Sequence, residues 1–476
     1  MTTAVATPAD LRLSPRGRLE ALADPGSLQL IRTAVMSRRL GDRARPGDGV
    51  LGGLAHVDGR PVACYAQDAA FAGGSLGEAH ADTIVRVLRM AGDSQIPVVG
   101  FVESGGARLQ EGVAALSGYA RIFSETVRLS GRVPHVSIIT GVSAGGGSYS
   151  PALTDFVVMT EGSAMFLTGP AVVREVMGED VDAQRLGGPA VHERTGVCAF
   201  RAADDPAAVA LARRLLGLLP TNSGQMAPID PAMAALPGDP GDVVPAEQRK
   251  VYDVREVVRR IVDSGELVES APRWARNLVT AFARIDGRPV GVVANQPRYL
   301  GGVLDADSAQ KGARFVRTCN AYNLPLVVLV DTPGFLPGTR QEEAGVIRHG
   351  AKLLHAFAEA TVPRVTVVLR KAYGGAYITM NCRDLGADLV LAWPDAEIGI
   401  MGASHAVRIV HRREIEASDP DTAEALAREY AEQHLRPAAA AACGAVDEIV
   451  EPRATRSYLN SALSVLRTPR REGDRR

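Results

Sequence analysis

Short runs of apolar, mostly β-branched residues recur along the chain, each giving way to glycines and then to a stretch of mixed polarity. Pro97–Val102 and Leu326–Val330 are of this kind; each ends at a Gly-containing turn, and together they predict a pair of buried strands. Val136–Thr140 and Val365–Leu369 predict a second pair, again running into glycines. Strands alternating with amphipathic helical stretches at this spacing predict parallel α/β units. Ser14–Pro25 predicts a short helix stopped by proline, and Thr468–Arg476 is too polar to pack.

The same elements occur twice. Val57-Asp-Gly-Arg-Pro-Val62 returns as Ile285-Asp-Gly-Arg-Pro-Val290, and Gly73-Gly-Ser-Leu76 returns as Gly301-Gly-Val-Leu304, both displaced by 228 residues. Ile96–Val99 answers to Leu324–Val327, and Glu103–Gly106 to Asp331–Gly334, at the same displacement. Val133-Pro-His-Val136 answers to Val362-Pro-Arg-Val365, and Gly145-Gly146 to Gly374-Gly375, displaced by 229. Several motifs in one order at one spacing indicate two homologous halves joined in one chain. Six prolines between Pro220 and Pro245 resist helix and sheet alike and mark the boundary. The expected organisation is a first domain over 1–220, a proline-rich linker over 221–250 and a second domain over 251–476.

Composition narrows the function. A length of 476 residues with 46% hydrophobic and 22% charged residues fits two or three globular cores and excludes disorder, collagen and coiled coil. Lys+Arg 53 against Asp+Glu 54 leaves a net charge of −1, so no global basic field would hold a nucleic acid. No apolar stretch approaches a membrane span, and no charged region followed by an apolar one opens the chain, so a cytoplasmic protein is expected. Cys64, Cys198, Cys319, Cys382 and Cys443 are scattered without a CxxC pair or nearby His, which predicts buried free thiols and neither disulfides nor a metal site.

Two kinds of turn carry candidate chemistry. Ala144–Gly147 and Tyr373–Ala376 each follow a buried strand and precede a helix. Small residues there let backbone N–H groups face a ligand, as an oxyanion hole requires. Ser104-Gly-Gly-Ala-Arg108 and Thr332-Pro-Gly-Phe-Leu-Pro-Gly338 follow the preceding strand in each half and are expected beside the glycine turns. Gly141-Val-Ser143-Ala-Gly145 also matches the nucleophile elbow GxSxG, which makes a serine hydrolase a competing reading; Ala372 stands at the equivalent of Ser143. Asp331-Thr-Pro-Gly334 imitates a GTPase DxxG, but no phosphate loop accompanies it, and no GxGxxG follows a strand. The lysines are Lys250, Lys311, Lys352 and Lys371, none between methionines as a biotin acceptor would be. Lys371, just ahead of the second glycine turn, either helps to hold an anion or is solvated.

Taken together, these motifs resemble the carboxyltransferase (β) subunit of biotin-dependent acyl-CoA carboxylases, the propionyl-CoA and acetyl-CoA carboxylase group. The similarity runs from Arg18-Leu-Glu-Ala-Leu-Ala-Asp-Pro-Gly26 to Val446-Asp-Glu-Ile-Val-Glu-Pro452. It is most specific in Ser104–Gly112, Ser150–Asp155, Asp331–Gly338, Arg348–Lys352 and Arg370–Tyr377. The resemblance implies two tandem crotonase-like α/β domains, the first binding acyl-CoA and the second carboxybiotin. It implies an oligomer, a hexamer built from dimers, and a separate α chain that supplies the biotin carboxylase and the biotin carrier. By the same resemblance Gly145 and Gly146 hold the thioester oxygen, and Gly375 and Ala376 the biotin ureido oxygen, while the biotin nitrogen acts as base. Ser104, Gly105, Gly106, Ala107 and Tyr149 would contact substrate in the first half, and Gly334, Phe335 and Ile378 in the second. An apolar residue at Ile378 goes in this family with acceptance of several acyl lengths, an acidic one with propionyl preference. His405 stands where relatives carry glycine, which leaves an unusual acyl acceptor open. The rival readings are a biotin-linked acyl-CoA decarboxylase and a scaffold subunit with decayed sites.

Overall fold

The repeated Asp-Gly steps are hairpin turns. Asp58 and Gly59 have φ of +50° and +76°, and Asp286 and Gly287 of +53° and +76°, the paired positive φ of a tight two-residue turn that Asp-Gly favours. In the computed structural model, which describes residues 12–416 and 420–466, each turn opens a mixed sheet. The expectation for Thr468–Arg476 lies outside the described residues.

The chain divides into two units, Met1–Ala227 and Pro228–Arg476. The first holds β1 (Gln29–Ile31), β2 (Val50–Val57), β3 (Arg60–Gln67), β4 (Val98–Ser104), β5 (His135–Ala144), β6 (Phe156–Thr160), β7 (Ala164–Phe166) and β8 (Phe200–Ala202). Their order is β1-β2-β3-β4-β5-β6-β8, with β7 beside β5. The hairpin β2–β3 is antiparallel and β3 to β8 run parallel. The second unit holds β9 (Val268–Glu269), β10 (Leu278–Ile285), β11 (Arg288–Asn295), β12 (Leu326–Thr332), β13 (Arg364–Tyr373), β14 (Leu389–Ala392), β15 (Glu397–Gly399) and β16 (Glu448–Ile449). From β10 to β15 it repeats the pairing of β2 to β7. To the expected parallel units each sheet adds an antiparallel hairpin, β2–β3 and β10–β11, for which Asp-Gly is the signal. The two predicted strand pairs are present and run further, into Ser104, Thr332, Ala144 and Tyr373, because pairing with a buried neighbour carries the strand past its apolar run.

In the first unit α2 (Glu78–Ser94) and α3 (Val113–Leu129) pack together on one face of the sheet, burying Ile84, Leu88, Tyr119 and Ile122 with Val98 and Ile139. The predicted N-terminal helix is α1 (Pro15–Leu22), capped by Ser14, whose Oγ accepts from the Gly17 N–H at 3.1 Å. In the second unit Leu459 and Leu463 of the last described helix close a core with Val279, Val292, Val367 and Trp393.

The proline-rich stretch is bonded to the unit that follows it. Asp230 donates its N–H to the Gly287 carbonyl at 3.1 Å, the Ala234 carbonyl accepts from Ser264 at 2.8 Å, and Arg370 holds the carbonyls of Pro245, Glu247 and Lys250. The expected linker thus belongs to the second unit from Pro228 onward. Four cysteines are buried as expected, but Cys443 is exposed beyond a short alanine helix. Among the described residues, no helix is long and apolar enough to cross a membrane.

His80 and His135 lie buried, and burial pushes both down to about 3; the cation of Arg108 adds to the effect at His80. The unfolded chain takes up protons below about pH 6.5 that the folded one refuses, so their contribution to stability is full above that pH and is lost as pH falls toward 3. His135 has neither ring nitrogen hydrogen-bonded. His135→Leu should therefore leave stability at pH 7 unchanged or improved and flatten the acid loss between pH 7 and 5, read as urea midpoints; an unaltered pH slope would refute this.

Candidate active site

At the end of β5 the chain reverses through Gly145, whose φ of +55° and ψ of −123° suit glycine alone, and enters α4 (Gly146–Ala152). The turn is braced from β7: the Gly145 N–H donates to the Phe166 carbonyl at 3.0 Å. Ser148 Oγ donates to the carbonyls of Ser143 at 2.6 Å and Phe166 at 3.0 Å. The amides at the head of α4, those of Gly146 and Gly147, have no partner inside a helix. Of the expected pair, Gly145 already gives its N–H to Phe166, while the amides of Gly146 and Gly147 correspond to those of Gly375 and Ala376 at the 229-residue shift.

Glycine is required at 146 by packing: a Cβ there would stand 2.7 Å from the Tyr119 ring. The Tyr119 hydroxyl meets Ser104 Oγ at 3.0 Å, and Ser104 Oγ accepts from the Gly106 N–H at 3.2 Å. Tyr119 packs on Phe123, which meets the half-exposed Tyr149 edge-on at 6.3 Å between ring centres. Ser104, Gly106 and Tyr149 thus gather around the first glycine turn. Gly105 and Ala107 are held through the Gly73–Leu76 segment, with Gly105 N–H on the Gly73 carbonyl at 3.1 Å and a bridge between Leu76 and Ala107. Arg108 anchors the loop from behind, wholly buried against Asp48 at 2.7 Å and Glu111 at 2.9 Å.

The second unit repeats this arrangement with different fillings. Gly374 has φ +57° and begins the helix Gly374–Thr379. Leu304 donates to the Gly334 carbonyl at 3.0 Å and bridges to Phe335, whose ring lies against Gly350. Leu336 stands where the first unit has Arg108, so this loop is held by prolines and apolar contact. A Cβ at Gly375 would meet nothing within 4 Å, so this turn faces open space. Ile378 is half-exposed on the same short helix. Tyr373 donates its hydroxyl to Glu397. Lys371 is not freely solvated: it is half-buried, donates to the Gln248 carbonyl at 3.2 Å, and burial lowers its pKa. His405 is exposed on the helix Ala403–Val410.

The hydrolase reading fails on geometry. Ser143 is fully buried within β5, two residues ahead of the turn, and its Oγ has no hydrogen-bond partner. Sequence reasoning missed Tyr119, which shapes the first turn, and the roles of Glu103 and Asp331. The repeat had aligned those two acids without giving them a task.

The carboxyl transferase domain family model matches residues 10–475. The chain is 48% identical to the methylmalonyl-CoA carboxyltransferase 12S subunit of Propionibacterium freudenreichii subsp. shermanii, over 96% of this chain and 88% of that one. It is 44% identical to the methylmalonyl-CoA decarboxylase subunit alpha of Propionigenium modestum, over 96% and 90%. It is 46% identical to the propionyl-CoA carboxylase beta chain of Saccharopolyspora erythraea, over 95% and 87%. A solved transcarboxylase 12S, a hexamer with methylmalonyl-CoA and methylmalonic acid bound, superposes with a TM-score of 0.94 at 46% identity, covering 98% of this chain and 92% of that one. With two parallel-sheet units repeating one glycine-turn design and this likeness along its length, the chain belongs to the carboxyl transferase domain family, the biotin-dependent acyl-CoA carboxyltransferases of tandem crotonase-like fold.

Proposed function

We propose that this chain is the β subunit of an acyl-CoA carboxylase and places a carboxyl group on the α-carbon of a short-chain acyl-CoA such as acetyl- or propionyl-CoA. The observation that carries this reading is the duplication of one device, a strand, a glycine turn and a helix head with open amides, once in each unit. Loss of the α-proton puts negative charge on the thioester oxygen, and release of a carboxyl group puts it on a ureido oxygen, so two oxyanions need two sets of donors. The amides of Gly146 and Gly147 would hold the first, and those of Gly375 and Ala376 the second. The open face of Gly375 leaves room for a ring to approach, which suits biotin. Biotin, carried by a partner chain, supplies the carboxyl group when bound. Ser104, Gly106 and Tyr149 would line the acyl-CoA side, with Ile378 from the second half reaching the acyl pocket, and Gly334 and Phe335 the carboxybiotin side.

The working form is a cytoplasmic homo-oligomer, a hexamer built from dimers, joined by an α chain bearing biotin carboxylase and biotin carrier. The test is transfer of labelled carboxyl from a carboxylated biotin carrier to acetyl-, propionyl- and butyryl-CoA by the purified chain. Product with any of them supports the class, and product with none overturns it. Likeness to a decarboxylase subunit favours the reverse direction as a second reading. ATP-dependent carboxylation on adding biotin carboxylase separates the two. With apolar Ile378 the acyl range should be broad, and Ile378→Asp should shift the kcat/KM ratio toward propionyl-CoA by roughly tenfold, the scale of one pocket contact. An unchanged acyl profile would remove Ile378 from the pocket.

A further inference from the structure

A register irregularity interrupts the central strand pair of each unit, and each one houses a carboxylate. Pairing of β4 with β5 passes from Val102–Ile139 to Ser104–Ser143, which leaves Glu103 opposite Gly141. Pairing of β12 with β13 passes from Val330–Val368 to Thr332–Ala372, which leaves Asp331 opposite Arg370. Both acids are buried, and each immediately precedes the loop beside its glycine turn. A Cβ at Gly147 would touch Ser104 Cβ at 3.0 Å, so Glu103 is one residue from the wall of the first turn. An uncompensated carboxylate in that place is costly in itself and opposes negative charge growing on a nearby substrate oxygen.

The second unit supplies the counter-charge from the neighbouring strand. Arg370 Nε donates to Asp331 at 3.0 Å, and the Lys371 N–H and Tyr252 hydroxyl complete the shell at 3.2 and 2.9 Å. The first unit has glycine at the equivalent position, and a Cβ on Gly141 would stand 2.4 Å from Glu103 Oε1 and 2.9 Å from Arg12 Nη2. The place taken by the arginine side chain in one unit is filled in the other by arginines from the N-terminal segment. Arg18 on α1 is buried and donates to Glu103 at 3.3 Å and to Asp205 at 2.8 Å, while Arg12 reaches Glu103 from a half-exposed position.

We propose that Arg18, assisted by Arg12, is a positioning residue for carboxyl transfer: it neutralises Glu103 from the N-terminal helix, in place of the strand arginine that the second half carries as Arg370. The inference rests on the reading that both glycine turns hold oxyanions. In the full-length chain with its biotin carrier, Arg18→Met should lower kcat roughly tenfold while KM for propionyl-CoA stays within about twofold. Arg18→Lys should keep most of the rate. Adding Glu103→Gln to Arg18→Met should restore kcat, since an amide needs no cation. Gly141→Arg in an Arg12→Met/Arg18→Met background should restore both kcat and melting temperature, by grafting the second half's solution into the first.

A wild-type kcat in Arg18→Met, or a folded Arg18→Met that neither Glu103→Gln nor Gly141→Arg rescues, overturns the proposal. If Arg18→Met does not fold, the triple variant decides: recovery of a cooperative melt supports the proposal and continued failure to fold sinks it. If the unsubstituted chain transfers carboxyl to no acyl-CoA, the functional reading has failed. The melting temperatures of the same variants then still tell whether Gly141→Arg replaces the N-terminal arginines.

Discussion

Gly375→Val is expected to cut carboxyl transfer by about 100-fold or more while leaving the melting temperature and the oligomer unchanged. The reason is the contrast between the two turns. At Gly146 a new Cβ would meet the Tyr119 ring at 2.7 Å, so any substitution there disturbs packing as well as chemistry, and lost activity would be ambiguous. At Gly375 nothing lies within 4 Å of a new Cβ, so the fold accepts the side chain and only a ligand facing the amides is displaced. Removing one oxyanion donor costs about 3–4 kcal/mol of transition-state stabilisation, and blocking the approach to a pair costs at least as much. Full activity in Gly375→Val would end the assignment of the second turn to the ureido oxygen.

Arg370→Met is expected to destabilise the second unit by about 3–5 kcal/mol, read as a shift in its urea unfolding midpoint. The methionine approximates the volume but leaves Asp331 buried without its cation, and it frees the Pro245, Glu247 and Lys250 carbonyls that Arg370 caps. Burial already raises the Asp331 pKa, with the Arg370 charge working against that rise. Without the arginine the folded protein favours a protonated Asp331 more strongly than the unfolded chain does. The proton taken up stabilises the fold at low pH and is lost as pH rises, so the defect should be smallest in acid and deepen toward neutrality. Asp331→Asn in the same background should recover much of the loss, because an uncharged amide can still accept from the Tyr252 hydroxyl at its 2.9 Å separation. A variant within 1 kcal/mol of wild type across this pH range, against the 3–5 kcal/mol expected, would show that the pair contributes little.

The duplication explains why so much was legible beforehand. Asp-Gly hairpin turns, short β-branched strands and glycines at strand ends are local chemistry, set by a residue and its immediate neighbours, and the 228-residue repeat doubled each signal. The same blocks carried the family likeness, and the paired turns suggested two oxyanion sites. Local signals also misled. GxSxG reads as a nucleophile elbow only if its serine reaches the turn, whereas pairing with β4 and β7 holds Ser143 inside the strand. A run of prolines reads as a tether, yet Arg370 and Gly287 hold that segment to the second unit.

What the amino-acid order determined by itself was therefore the elements, their repetition and the positions of the glycine turns. The tertiary structure alone decided which amides stay open and which charge meets which. Gly145 gives its N–H to Phe166, 21 residues onward, and Glu103 takes its cation from Arg18, 85 residues back, while Asp331 finds Arg370 on the next strand. Turn and strand propensities act between neighbours in sequence, so they can be read along the chain. A buried donor or charge must take whatever partner the packed fold brings within hydrogen-bond reach, and distant segments meet only once the sheet has formed.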